Sequence, residues 1–172
     1  MKNDKVFCSE CDKVVNKGNT CIIDEKPVCF FCIYGGTKPF EIYPIGKVRT
    51  DLKPHETDGF SSDSKGISCI DLLPSQKSFM YKLDEEAFLT VVYYLHNVKS
   101  VKTVFKRGLD GKRVGVFASR TPNRPSKIGI QDVRLLKIKG TTLYVEGLDA
   151  MEGSPVLDIK LKLSSLDLPP KI

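Results

Sequence analysis

Two groups of residues in this chain have the types and the spacing to do chemistry. The first is cationic. Arg120, Arg124 and Lys127 stand close together inside Gly115–Gly129, which reads Gly-Val-Phe-Ala-Ser-Arg-Thr-Pro-Asn-Arg-Pro-Ser-Lys-Ile-Gly. Pro122 and Pro125 flank Arg124, fix φ and remove two backbone donors, so a stiff loop is expected after a short apolar strand over 114–118. A stiff loop bearing three cations suits an anionic or carboxylate-bearing ligand, because preorganised donors lose less entropy on binding. The plain alternative is a solvated basic turn. The second group is made of thiols. Cys8-Ser-Glu-Cys11 and Cys29-Phe-Phe-Cys32 are two knuckles separated by seventeen residues. That spacing lets each knuckle bend two sulfurs onto one ion and predicts a structural, tetrahedral zinc site at Cys8, Cys11, Cys29 and Cys32. Four protein ligands fill the shell and leave no position for an activated water. A redox role is the weaker alternative, since neither knuckle sits in a thioredoxin-like βαβ context. Cys21 is either a substitute ligand or a spare thiol, and Cys69 reads as a core residue of a strand.

The elements that must position these groups follow from size, charge and periodicity. With 172 residues the chain has room for one sizeable core and a small appendage. No apolar run reaches membrane-spanning length, and Met-Lys-Asn-Asp-Lys leads into cysteines, not into an apolar signal region; a cytoplasmic protein without a membrane partner is expected. Thiol ligands fit that reducing compartment. Between Asn97 and Lys139 twelve Lys/Arg face two acids, a local net charge of +10, which leaves −4 for the rest of the chain. A basic segment on an otherwise slightly acidic chain points to nucleic acid, with a solvated charged face as the alternative. Lys99, Lys102, Lys106, Arg107, Lys112 and Arg113 are read as phosphate contacts, which position RNA without reading its sequence.

Three pieces are expected along the chain: a zinc module over 1–36 that ends at Gly35-Gly36, a main domain over 40–163, and an irregular tail over 164–172 with Pro169-Pro170. The module holds too few apolar residues to fold without metal. Its Lys13, Lys17 and Lys26 are placed to touch phosphate, though packing on the main domain or contact with another protein would use the module equally well. The main domain reads as mostly β, with strands over 43–50, 66–73, 90–96, 130–138, 142–148 and 156–163. Asp84 is expected to cap one helical turn over 84–88. Residues 130–138 and 142–148 form a hairpin through Lys139-Gly140-Thr141. In 156–163, Leu157, Ile159, Leu161 and Leu163 fall on one face, the pattern of a half-buried strand. Many short strands with turn signals between them predict a single β-barrel domain preceded by the small four-cysteine module.

Two blocks carry a specific resemblance. The segment 115–129 is similar to a Gly-Val-Phe-Ala-Thr-Arg-Ser-Pro-x-Arg-Pro-Asn-Pro-Ile-Gly pattern. Residues 145–160, Val-Glu-Gly-Leu-Asp-Ala-Met-Glu-Gly-Ser-Pro-Val-Leu-Asp-Ile-Lys, are similar to Val-x-Gly-Leu-Asp-x-x-Asp-Gly-Thr-Pro-Val-x-Asp-Ile-Lys-Pro-Tyr. Both are patterns of the TrmO family, also described as YaeB- or TsaA-like: S-adenosylmethionine-dependent methyltransferases built on a β-barrel. With the weaker echoes Tyr43-Pro-Ile-Gly-Lys-Val48 and the aromatic strand closing in His96, the resemblance spans about 43–163 and excludes the zinc module. The departures are local. No Pro-Arg-Gln block occurs in 53–65, Ser126-Lys127 replaces Asn-Pro, Leu161-Lys162 replaces the closing Pro-Tyr, and Thr90 stands where the family has a histidine.

The resemblance implies methylation of the exocyclic amine of threonylcarbamoyl-adenosine beside the anticodon of tRNA, by a homodimer. It implies cofactor contacts at His96, Asn97, Arg120, Ile130, Asp149, Ala150, Met151, Glu152 and Gly153, with Arg124 and Pro125 shaping the same pocket. Methyl transfer from a sulfonium is an in-line displacement in which the protein mainly supplies alignment. An amide-like amine needs an acceptor for its proton, and Asp149 is the candidate, in competition with a plain hydrogen bond to a turn amide. Asp158 reads more simply as the partner of a barrel cation, and His96 is a structural histidine unless the resemblance holds. Arg120, Arg124 and Lys127 suit a cofactor carboxylate, the threonyl carboxylate or RNA phosphate. The rival readings are a non-catalytic zinc-containing RNA-binding barrel and a methyltransferase for a different, small substrate.

Overall fold

In the strands of the main domain apolar side chains recur at every second position, and six such strands close on themselves. The protein is described by a computed structural model over residues 4–50 and 66–163. The expected tail over 164–172, and the stretch 53–65 that lacks a Pro-Arg-Gln block, lie outside these described residues. The chain divides into two compact units: residues 42–96 with 128–172, and residues 1–41 with 97–127.

The first unit is the barrel. Its strands are β5 (Gly46–Arg49), β6 (Ile67–Leu72), β7 (Phe88–Tyr94), β11 (Ile128–Lys139), β12 (Thr142–Glu146) and β13 (Pro155–Leu161). They close in the order β11-β12-β6-β5-β13-β7 with antiparallel pairing throughout. The interior is packed with side chains, as expected of so small a barrel. Leu89, Val91 and Tyr93 alternate inward from β7, Leu143 and Val145 from β12, and Val48, Ile70, Val133 and Val156 complete the layers. The expected hairpin is present, turning at Gly140-Thr141 between Lys139 and Thr142. Cys69 is buried in β6. On the outer surface Arg49 Nε and Nη2 donate to the two Asp71 oxygens at 2.9 and 3.2 Å, and Thr142 Oγ1 donates to Asp71 at 2.8 Å. Arg49, with help from Thr142, holds the Asp71 carboxyl below its ordinary range.

Two expectations for this unit are corrected. Asp84 does not cap a helical turn: the 3-10 turn is Leu83–Glu85, Lys82 occupies the cap position in the left-handed region, and Asp84 lies inside. The apolar face read along 156–163 is broken as well. A bulge between Val156 and Asp158 shifts the register, so Val156 is fully buried and Ile159 packs on the core, while Leu161 and Leu163 are exposed. A bulge inserts one residue and reverses every side chain beyond it, which strict alternation does not foresee.

The second unit joins the cysteine-rich residues to 97–127. Its strands are β1 (Lys5–Phe7), β2 (Val14–Asn16), β3 (Thr20–Ile23), β4 (Lys26–Cys29), β8 (Ser100–Val101), β9 (Val104–Lys106) and β10 (Arg113–Gly115), with one helix, α1 (Phe30–Tyr34). β1 and β2 form one hairpin and β9 and β10 another, and β4-β3-β8 make a three-stranded sheet. The β3–β8 pairing is parallel, Ile22 opposite Ser100 and Ile23 opposite Val101. It is reinforced where the Asp24 amide donates to the Val101 carbonyl at 2.9 Å and the Asp24 carboxylate accepts from the Thr103 amide and hydroxyl at 3.1 and 2.5 Å. The sequence expectation divided the chain linearly near residue 36; the compact units are drawn across that line, because this pairing ties 97–127 to the cysteine-rich hairpins. The apolar strand expected over 114–118 is instead the end of β10 followed by a 3-10 turn, Val116–Ala118.

Candidate functional site

In the cysteine-bearing unit the turn of the β1–β2 hairpin carries Cys8 and Cys11, and the β4–α1 junction carries Cys29 and Cys32. The four sulfurs lie within 4.8 Å of one another. Cys8 and Cys32 are 3.9 Å apart, as are Cys11 and Cys29. Tetrahedral bonds of about 2.3 Å from zinc to each sulfur place the sulfurs about 3.8 Å apart, so the set has the shape of a four-thiolate site. The Cys29 amide donates to Cys8 Sγ at 3.3 Å. That amide lowers the Cys8 thiol to about 6, whereas the neighbouring Cys29 and Cys11 sulfurs push Cys32 up to about 12. Four thiols this close do not all ionise unless a cation neutralises them. Cys21 lies on β3, outside the cluster.

The arginine loop belongs to this unit, and its stiffness has a second source besides the prolines. Arg124 Nε donates to the Thr121 carbonyl at 3.0 Å and Nη2 to the Ser119 carbonyl at 2.6 Å. Arg107 Nη1 donates to the Ala118 carbonyl at 2.9 Å, while its Nε and Nη2 grip Asp110 at 3.0 and 2.6 Å. These two guanidiniums brace the loop from within. Arg107, read from the sequence as a phosphate contact, has its fork held by the acid three residues on and by a loop carbonyl. Lys106 and Arg113 stand exposed, opposite one another on the β9–β10 hairpin. Lys112 is exposed with its Nζ 3.9 Å from Asp110, and Arg120 is exposed.

In the barrel unit the segment 147–154 forms a corner bolted down at several points. The Tyr93 hydroxyl donates to the Asp149 carbonyl at 2.8 Å. The Gly153 amide donates to the Val48 carbonyl at 2.8 Å and the Val48 amide to the Ser154 carbonyl at 2.9 Å. The Glu152 carboxylate accepts from the Thr50 amide at 2.5 Å. Gly153 sits at φ +75°, where a side chain would strain the turn. Ala150 is buried beneath, and Met151 is half-buried. His96, exposed just beyond β7, brings Nδ1 to 3.4 Å from the buried Ser154 hydroxyl. His96 thus lies beside the corner at Ser154. Glu152 is a brace of the corner, and Ile130 faces outward from β11, 53% exposed. Asp158 pairs with Lys160 at 2.6 Å, the simpler of its two readings.

Sequence reasoning passed over Tyr93. A Cβ on Gly129 would fall 2.5 to 3.0 Å from three atoms of the Tyr93 ring, so only glycine lets this ring lie across β11 and reach the Asp149 carbonyl. Burial pushes the Tyr93 hydroxyl up to about 12, which keeps it a donor at all physiological pH. The signal lay in the Ile-Gly pair closing the first block, whose glycine marks a close approach.

The corner, the loop and the barrel can now be set against known proteins. The model of the tRNA-methyltransferase O N-terminal domain matches residues 53–168. The chain belongs to this family. It is 37% identical over 131 residues to a "Probable S-adenosyl-L-methionine-binding protein" of Methanothermobacter thermautotrophicus, covering 73% of this chain and 92% of that one. It is 41% identical over 64 residues to the human tRNA (adenine(37)-N6)-methyltransferase, covering 37% of this chain and 14% of that one. The crystal structure of TrmO from Pseudomonas aeruginosa shares the fold, with a TM-score of 0.60 at 24% identity over 78% of this chain and 61% of that one. The chain thus spans less than two thirds of the solved TrmO and a small part of the human enzyme. Among the described residues no helix is long and apolar enough to cross a membrane.

Proposed function

We propose that this TrmO-family chain is an S-adenosylmethionine-dependent methyltransferase acting on N6 of a threonylcarbamoyl-adenosine in tRNA, as a cytoplasmic homodimer. The observation that carries the reading is the family match over 53–168, which contains the bolted corner 147–154 together with His96. The names of the relatives, S-adenosylmethionine-binding and tRNA (adenine(37)-N6)-methyltransferase, support cofactor and substrate class.

Bound at such a corner, S-adenosylmethionine supplies a methyl group already activated by its sulfonium. The residues of this chain then align and hold. Tyr93, Thr50 and Val48 fix the corner in one shape, so that binding does not have to order it. His96 and the Ala150-Met151-Glu152-Gly153 backbone present the contacts expected for the cofactor. A substrate amine that took up this methyl group would have to give up a proton. The Asp149 carboxylate, exposed at the rim of the corner, is the candidate acceptor. The exposed Arg120, Lys106, Lys112 and Arg113 suit RNA phosphate. Zinc on Cys8, Cys11, Cys29 and Cys32 would be structural, its shell filled by protein ligands.

Isothermal titration with S-adenosylmethionine tests the reading. One site per chain is expected, weakened in a Gly153→Val variant. No heat at millimolar cofactor, with tRNA still bound, would favour the non-catalytic RNA-binding barrel instead.

A further inference from the structure

A cleft of about 300 Å³ lies within the cysteine-bearing unit. Its floor is Cys21, Pro27 and Val101, and Lys17, Lys99 and Lys127 stand around it. The volume is at the lower end of ligand pockets. The three lysines come from three separate segments: the turn before β3, the connection into β8 and the last residue of the arginine loop. No carboxylate lines the cleft, and among the described residues none of the three makes an ion pair. Their surroundings are ordered. The Lys17 amide donates to the Asp4 carbonyl and the Lys17 carbonyl accepts from Thr20 Oγ1, both at 2.8 Å. The Lys127 amide donates to the Arg124 carbonyl at 3.2 Å.

Lys127 is unusual in its backbone. It sits at φ +51°, the left-handed region, which strains a residue other than glycine. The TrmO pattern has proline at this position, and proline, fixed near φ −65°, is unable to adopt it. The cysteine-rich hairpins also lie outside that pattern. Two features that set this chain apart from the pattern therefore share one cleft, and backbone strain of this kind persists where surrounding structure enforces it. Three ammonium groups around an apolar floor, with no counter-charge, complement an anion joined to an apolar or aromatic body.

We propose that this cleft seats one nucleotide of the RNA substrate, its phosphodiester among Lys17, Lys99 and Lys127 and its base or ribose against the Cys21–Pro27–Val101 floor. The proposal rests on the reading of RNA as the substrate and adds a further place where the chain holds it, contributed by the cysteine-bearing unit.

Cys21 reports on the cleft, because it lines the floor and is not one of the four clustered thiols. In the zinc-loaded full chain, alkylation of Cys21 by N-ethylmaleimide is followed by mass spectrometry with and without tRNA. With tRNA at about ten times its Kd, alkylation is expected to slow roughly tenfold. A Lys17→Ala/Lys99→Ala/Lys127→Ala variant is expected to flatten the dependence of log affinity on log salt by about 0.7–0.9 for each phosphate that is no longer neutralised. If that variant sheds its zinc, the alkylation of the unaltered chain decides alone. Tight tRNA binding with Cys21 alkylated at its original rate overturns the cleft and leaves the RNA substrate standing. Failure of the unaltered chain to bind tRNA overturns both. Protection by polyglutamate or by ATP, but not by tRNA, also overturns it and assigns the cleft to a protein or a small-molecule partner.

Discussion

The two units reach order by different physics. The barrel buries a continuous apolar interior, with Val48, Ile70, Leu89, Val91, Leu143, Val145 and Val156 fully enclosed. Among the described residues of the cysteine-bearing unit the core cluster is Cys8, Val28 and Cys29, two of them thiols of the four-cysteine set, with Val101 and Val116 buried elsewhere in the unit. Polar braces add to this: Asp24 on Thr103, Arg107 on Asp110 and Ala118, Arg124 on Ser119 and Thr121. Hydrophobic burial scales with enclosed area, which a piece this small lacks, so charge-assisted hydrogen bonds, and the zinc proposed for its four thiols, take its place. A unit ordered in that way is suited to responding to a ligand, and a unit ordered by packing is suited to holding a fixed corner.

Metal removal separates the two most widely. Zinc binding to such peptides contributes on the order of 10–16 kcal/mol at neutral pH. Chelation, or Cys8→Ser, is expected to abolish amide-exchange protection in β1–β4 and α1 while the barrel strands keep theirs. Equal loss in both units would break the contrast. Next comes the barrel itself. Leu143→Ala is expected to destabilise the barrel by about 2–5 kcal/mol in denaturant unfolding, with zinc content unchanged. Gly129→Ala pushes a methyl into the Tyr93 ring and is expected to cost about 1–3 kcal/mol and to weaken S-adenosylmethionine binding through the displaced corner. A Tyr93→Phe variant, which keeps the ring and removes the bond to Asp149, sharpens this by giving the binding effect with less loss of stability. The smallest effect is electrostatic. The Asp71 carboxyl is held below its ordinary value, so its stabilising contribution is complete above that ordinary value, near pH 4, and disappears as pH falls through the lowered one. Acid unfolding of Asp71→Asn should therefore be slightly less steep below pH 4, a change as small as expected of an ion pair at the surface.

The features legible in the sequence are those carried by neighbours along the chain. Cys-x-x-Cys twice is a local geometry, and the sulfurs do gather. Gly140 between two alternating segments is a hairpin signal, and the hairpin forms. The Gly-Leu-Asp to Pro-Val block encodes its own corner. What escaped were non-local or one-residue effects. The parallel pairing of Ile22 and Ile23 with Ser100 and Val101 joins segments nearly eighty residues apart, and nothing in either short strand announces it. The bulge after Val156 shifts a register that alternation alone continues unbroken. Arg107 reads as a free cation until Asp110, three residues on, turns back to meet it. Tyr93 looks like any inward aromatic until the glycine opposite is given its missing Cβ.

The most direct measurement is of the product. The zinc-loaded chain is incubated with S-adenosylmethionine and with tRNA bearing threonylcarbamoyl-adenosine, and the digested nucleosides are weighed by mass spectrometry. One added methyl on that nucleoside, absent when S-adenosylmethionine is withheld, is the expected result. An unchanged nucleoside profile in the presence of bound cofactor and bound tRNA would contradict the account.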